Sequence, residues 1–191
     1  MLGQDYQIRM KLKVLFLILT LNMSLITSAE SFGIVVHGGA GVLSGLSIER
    51  QQEIENKVKE TLISAYKILE DGGSSMDAVE FAVSEFEDST LFNAGKGSVY
   101  NSDEVQEMDA SIMNGADRSA GAVASVQIIK NPIKLARKVL EETDHVLLVG
   151  RGAEIFAKDV EETIVDRSYF HSEKNLKRLK KAKKRISDNN I

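Results

Sequence analysis

Three short segments carry the residues whose chemistry has to be weighed first. In Leu91–Tyr100, LFNAGKGSVY, Asn93, Gly95 and Gly97 are set among apolar and small residues. The pattern predicts a tight, buried turn, because glycine reaches backbone conformations closed to other residues and asparagine bonds to its own main chain. The Asn93 amide can donate and accept hydrogen bonds. In His37–Gly41, HGGAG, a glycine-rich turn after a strand can present N–H groups to an anion. His37 is either a catalytic base or a structural histidine at a strand end. In Glu107–Gly115, EMDASIMNG, Asp109 sets a carboxylate inside a strand-like run. There it is either catalytic or bonded to backbone groups.

Several chemistries are excluded by pattern. The glycine segment is not a phosphate loop: Lys96 is followed by Gly97, and position 90, five residues before Gly95, is threonine. An HGG element also occurs in oxyanion loops of α/β-hydrolases, but that reading needs a G-x-S-x-G elbow, which the sequence lacks. His37, His145 and His171 have no metal-ligand spacing. The absence of cysteine removes disulfides, thiolate catalysis and Cys-based zinc sites.

The elements that must position these segments follow from periodicity. Phe32–Val36 is a short β-branched run and predicts a buried strand leading into HGGAG. Ser47 can cap a helix whose core stripe is Ile54, Val58, Leu62, Ala65 and Leu69, stopped by Gly72-Gly73. Ser75 starts a second helix with Val79, Ala82, Val83 and Phe86 inward. Gly97–Tyr100, Val105–Met113 and Ala120–Ile129 are strand candidates. Pro132 suits the first turn of a helix lined by Ile133, Ala136, Val139 and Leu140. His145–Val149 reads as a buried strand, and Gly150–Lys158 as the next helix. Mixed helices and strands give an α/β or α+β class.

The 191 residues suffice for one domain with a sizeable core. The net charge of −4 is unevenly spread. Residues 30–170 hold 13 basic and 25 acidic side chains, so this part is a poor nucleic-acid binder. Residues 171–191 hold eight basic and two acidic ones. They read as a solvated, poorly ordered linker or tail, or as a basic amphipathic helix able to touch anionic lipid or nucleic acid. At the other end, Lys11 and Lys13 precede Val14–Ile26, 13 residues that are mostly apolar and fall short of the about 20 needed to span a bilayer. With Thr27-Ser28-Ala29 behind it, this reads as a signal peptide over residues 1–29 and an exported protein. Met10 is an alternative start. An uncleaved membrane anchor and a buried first helix are the alternatives for the segment.

The segments HGGAG, LFNAGKGSVY, EMDASIMNG and Ser119–Gln127, SAGAVASVQ, in this order, resemble the plant-type L-asparaginase and isoaspartyl peptidase family of N-terminal-nucleophile hydrolases. The resemblance runs from about Gly33 to about Phe170. It implies a four-layer αββα sandwich. It implies a nucleophilic threonine exposed by self-cleavage, and a linker just before the cleavage point, where residues 171–191 lie. It places His37, Gly38, Gly39 and Asn93 as supporting residues near that threonine, and Asp109 as structural. It implies a structural sodium ion held by the main-chain carbonyls of Phe86, Glu87, Ser89, Phe92, Ala94 and Lys96. The threonines of this sequence are Thr20, Thr27, Thr61, Thr90, Thr143 and Thr163, and none follows a glycine as the family's nucleophile does. The expectation is therefore an α subunit, or a precursor truncated near its processing point, without its own nucleophile. Its partner is a β half beginning with threonine, in an (αβ)₂ assembly acting on asparagine or β-aspartyl peptides. A glycosylasparaginase-like α subunit and a non-catalytic, partner-binding paralogue are the other expectations.

Overall fold

The computed structural model describes residues 32–39 and 45–189. The signal-peptide segment and the Ala40-Gly41 end of HGGAG lie outside the described residues. Residues 34–191 form one contact unit, and the description concerns that unit.

Two helices come first. Helix α1, Ile48–Glu70, starts where Ser47 Oγ accepts the Arg50 N–H at 3.3 Å. It ends at Gly72, whose φ of +87° suits glycine, with the Gly72 and Gly73 N–H groups donating back to Leu69 and Ile68. Thr61 and Ala65 are buried, and the rest of the expected stripe is half-buried. Helix α2, Ser75–Glu87, is fixed by a capping box in which Ser74 and Asp77 satisfy each other's backbone N–H. Its inward face is Ala78, Ala82 and Phe86; Val79, expected in the stripe, is 38% exposed.

A three-stranded sheet follows, in the order β1 (Met108–Met113), β2 (Ala120–Val126), β3 (Leu147–Val149). Strands β1 and β2 are antiparallel, with Met113 opposite Ala120, while β2 and β3 are parallel, with Val123 opposite Leu148. The parallel pair is joined through helix α3, Pro132–Glu142, with Pro132 at its start as expected. Helix α3 lies so close to β2 that a side chain on Gly121 would meet the Ala136 carbonyl oxygen at 2.2 Å. Helix α4, Gly150–Asp159, adds Ala153 and Ala157 to the same core, with Val123, Val126, Ile133, Leu135 and Val139.

The register slips between Met108 and Ala110, and Asp109 is the cause of the repair. Ser125, opposite it, has φ +54°, and its N–H donates to Asp109 Oδ1 at 2.8 Å. The carboxylate thus supplies the acceptor that the bulged ladder has lost, and Asp109 is structural.

Five sequence expectations are corrected. Residues 32–39 join no ladder, and Val35 is 94% exposed: an apolar run has strand propensity, but a strand exists only when paired. Gly97–Tyr100 is not a strand either; a 3₁₀ turn, Gly95–Gly97, takes up its start. Strand β1 begins at Met108, not Val105, because Asn101 Oδ1 captures the N–H groups of Asp103 and Val105 in a loop. Strand β3 is not buried: Val146, Leu147 and Val149 are 61%, 51% and 54% exposed, and only Leu148 faces the core. The basic tail forms helix α5, Glu173–Asn189, rather than a poorly ordered linker. Leu176 and Leu179 are half-buried, while Lys174, Lys177, Arg178, Lys180, Lys181, Lys184 and Arg185 face solvent. Among the described residues no helix is long and apolar enough to cross a membrane.

Candidate functional site

The site is built on the loop that leaves helix α2. The Asp88 N–H donates to Ser84 at 2.9 Å and the Ser89 N–H to Phe86 at 3.2 Å, which turns the chain at the helix end. Phe86 and Phe92 then pack as a tilted ring pair, centroids 4.4 Å apart and planes at 43°. Into this loop the Gly95–Gly97 turn is pressed with no room for side chains. A Cβ on Gly95, at φ +46°, would lie 2.3 Å from the Glu87 carbonyl oxygen. One on Gly97 would lie 2.0 Å from that of Phe92 and 2.9 Å from that of Ser89. The sequence pattern of glycines thus has a steric reason: only glycine lets three main-chain oxygens crowd one turn.

These three carbonyls, Glu87, Ser89 and Phe92, are half of the six expected around a cation. Phe86 and Ala94 each accept a backbone N–H, from Ser89 and from Gly97. A carbonyl has a second lone pair, so both remain able to bind an ion. The Lys96 ammonium group lies 5.2 Å from the centre of the Tyr169 ring. A crowd of neutral main-chain oxygens is a donor set for a hard cation of low charge. Among the described residues no group of three or more His, Asp and Glu is placed to hold a metal.

Asn93 is exposed, and its Oδ1 accepts the Val99 N–H at 2.9 Å, bracing the loop across the glycine turn. His37 is exposed as well, with Nδ1 accepting the Gly39 N–H at 3.1 Å; that bond shapes the turn. Gly38 passes directly over the loop. A Cβ there would come within 3.1 Å of the Phe92 ring and 3.5 Å of Val58. So the structure does bring the HGG segment and the Asn93 loop together, across more than fifty residues of sequence.

Sequence reasoning missed the Glu87 side chain. It is 3% exposed at the end of α2, beneath the loop. Its Oε1 accepts the Ile133 N–H at 3.0 Å, at the N-terminal end of α3, and its Oε2 has no partner. Burial pushes the carboxyl up to about 8, against the pull of the Ile133 N–H and of Asn131. Beside it, Asp88 takes Lys130 at 2.9 Å and Asn131 at 3.1 Å. The pair locks the loop's origin to α3. The one available signal was an acid directly after Phe86, a core position.

A family model described as asparaginase matches residues 30–191. The chain is 48% identical over 151 residues to the isoaspartyl peptidase/L-asparaginase of Mus musculus, covering 75% of this chain and 46% of that protein. It is 46% identical over 150 residues to the human protein of the same name, covering 78% and 48%. It is 52% identical over 125 residues to the plant-type L-asparaginase of Pyrococcus horikoshii, covering 65% and 40%. The matched regions take up less than half the length of these relatives.

Proposed function

Because the chain belongs to the asparaginase family, we propose that it is the α portion of an isoaspartyl peptidase/L-asparaginase, hydrolysing the side-chain amide of asparagine or the β-aspartyl peptide bond once joined to a β half. The observation that carries this is the loop itself: three carbonyls crowded on Gly95 and Gly97, with Gly38 packed across Phe92.

In this reading the nucleophile is a threonine that begins the β half. Its hydroxyl attacks the amide carbon, and its own α-amine, with an ordinary pKa of about 7.7–8.0, takes the proton. The residues of this chain act from beside that group. The Asn93 loop and the His37–Gly39 turn form one rigid support against which the threonine sits. A side chain on Gly38 would come within 3.1 Å of the Phe92 ring, so the ring would have to shift slightly to admit one. The carbonyls of Phe86, Glu87, Ser89, Phe92, Ala94 and Lys96 would hold a sodium ion, which supplies charge to neutralise converging dipoles and so stiffens the loop. The outer sheet face, with Asp109, Ser111, Met113, Leu147 and Val149 exposed, is where a second sheet would complete a four-layer sandwich. An (αβ)₂ assembly and export after removal of residues 1–29 belong to the same proposal.

The test is reconstitution. Residues 30–191 produced together with a threonine-first β half should form a heteromer that releases aspartate from β-aspartyl dipeptides, while residues 30–191 alone should not. Turnover by the lone chain, or a stable heteromer that leaves both asparagine and β-aspartyl peptides intact, would overturn the assignment.

A further inference from the structure

We propose that Gln106 and Asn175 are positioning residues that latch the start of helix α5 onto the Gly95–Tyr100 segment, so that the loop and the chain's path out of the domain are ordered together. The contacts span 64 to 78 residues of sequence. Asn175 Nδ2 donates to the carbonyls of Gly97 and Ser98, both at 3.1 Å. Gln106, 8% exposed, donates from one nitrogen to Ser98 O at 2.8 Å and to Phe170 O at 2.7 Å. A third link is a relay: the Ser172 N–H donates to Tyr100 Oη at 3.3 Å, and that hydroxyl stands 2.8 Å from His171 Nδ1. Ser172 also caps α5, accepting the Asn175 N–H on Oγ and the Leu176 N–H on its carbonyl.

Two features make these polar links decisive. A half-open surface cleft of about 290 Å³, lined by Tyr100, Gln106, Phe170 and His171 among others, lies at this junction, so water reaches part of it. Farther along, α5 carries Lys177 and Lys181, Lys180 and Lys184, and Lys181 and Arg185 at four-residue spacing. Like charges at that spacing weaken a helix. Beyond the first turns its side chains are exposed, and Lys183 to Glu104 at 3.2 Å is an exposed pair. The helix is therefore held by its beginning.

The latch grips the Gly97 and Ser98 carbonyls of the same segment whose glycines the Glu87, Ser89 and Phe92 carbonyls crowd. Ordering one set of contacts favours ordering the other, and the coupling is reciprocal. The consequence for self-cleavage rests on the function proposed above: the latch sets where the linker to the threonine departs.

Amide exchange on the chain alone tests the latch without a β half or substrate. Asn175→Asp keeps the shape and removes the donor. Exchange at residues 95–100 should rise about tenfold, the scale of a lost hydrogen bond, and trypsin should cut sooner at Lys177. Strands β1 and β2 should exchange as before. Tyr100→Phe, which removes the relay alone, should loosen residues 170–176 and the loop in the same ratio. If either variant frees the tail but leaves the loop unchanged, or if β2 loosens to the same extent, the latch is overturned. Loop exchange indifferent to sodium would remove the ion and leave the latch standing. Failure of reconstitution would likewise bear on the catalytic reading alone.

Discussion

Glu87 is the residue with most at stake. A carboxyl pushed up to about 8 by burial is neutral in the folded protein over a range where the unfolded chain, at an ordinary value near 4.5, is ionised. The folded state is then undisturbed below pH 4.5 and loses stability as pH rises from 4.5 through 8, with a limiting slope of about 1.4 kcal/mol per pH unit. Glu87→Gln keeps the acceptor for Ile133 and cannot ionise. Urea midpoints at pH 5, 7 and 9 should fall with pH in the wild type and stay level in the variant; parallel curves would refute the assignment. At this scale the sequence was partly legible. Asn93 could be read as a turn residue beside its glycines, whereas for Asp109 the residues left catalysis and a backbone bond both open and only the family resemblance favoured the second. Glu87 could not, since an acid at a helix end is ordinarily solvated and nothing local marks its burial beneath a distant helix.

At the scale of elements, the glycine turn offers the sharpest substitution. Gly97→Ala would put a methyl within 2.0 Å of the Phe92 carbonyl oxygen, so the loop has to open. The expected loss is about 1–3 kcal/mol, as for other overpacked sites, with activity of the reconstituted enzyme falling further than the melting temperature alone explains. Gly115→Ala, with open space around it, is the control and should match wild type in both. Helix boundaries were the legible part of the fold: Ser47, Gly72-Gly73 and Pro132 act within their own turn of chain. Strand boundaries were not. Strand β1 starts late because one asparagine amide three-dimensionally outbids the ladder, and residues 32–36 have the right composition without a neighbour to pair with among the described residues.

At the scale of the whole molecule, the outer sheet face governs behaviour. Met113, Leu147 and Val149 expose apolar surface on a sheet whose β1 and β3 edges have no further strand among the described residues. Such surfaces favour association with other chains. Light scattering should show concentration-dependent association of residues 30–191 alone, reversed when a threonine-first half is present. A monodisperse monomer at about 100 μM, within the range where exposed edges cause aggregation, would argue that this face needs no cover.

The seven solvent-facing cations of helix α5 also give the chain a poleward asymmetry that its total charge conceals. A protein of net charge −4 should flow through a sulfonate resin at pH 7. This one should be retained, end-on, by the single basic face, because adsorption responds to the local field and not to the sum. Brief trypsin treatment that trims the chain at Lys177 should abolish retention while leaving its binding to an amine resin stronger than before. The same segregation means that crowded copies will tend to align basic tail to acidic body at low salt, and the attraction should fade once the screening length drops to about 3 Å near 1 M salt.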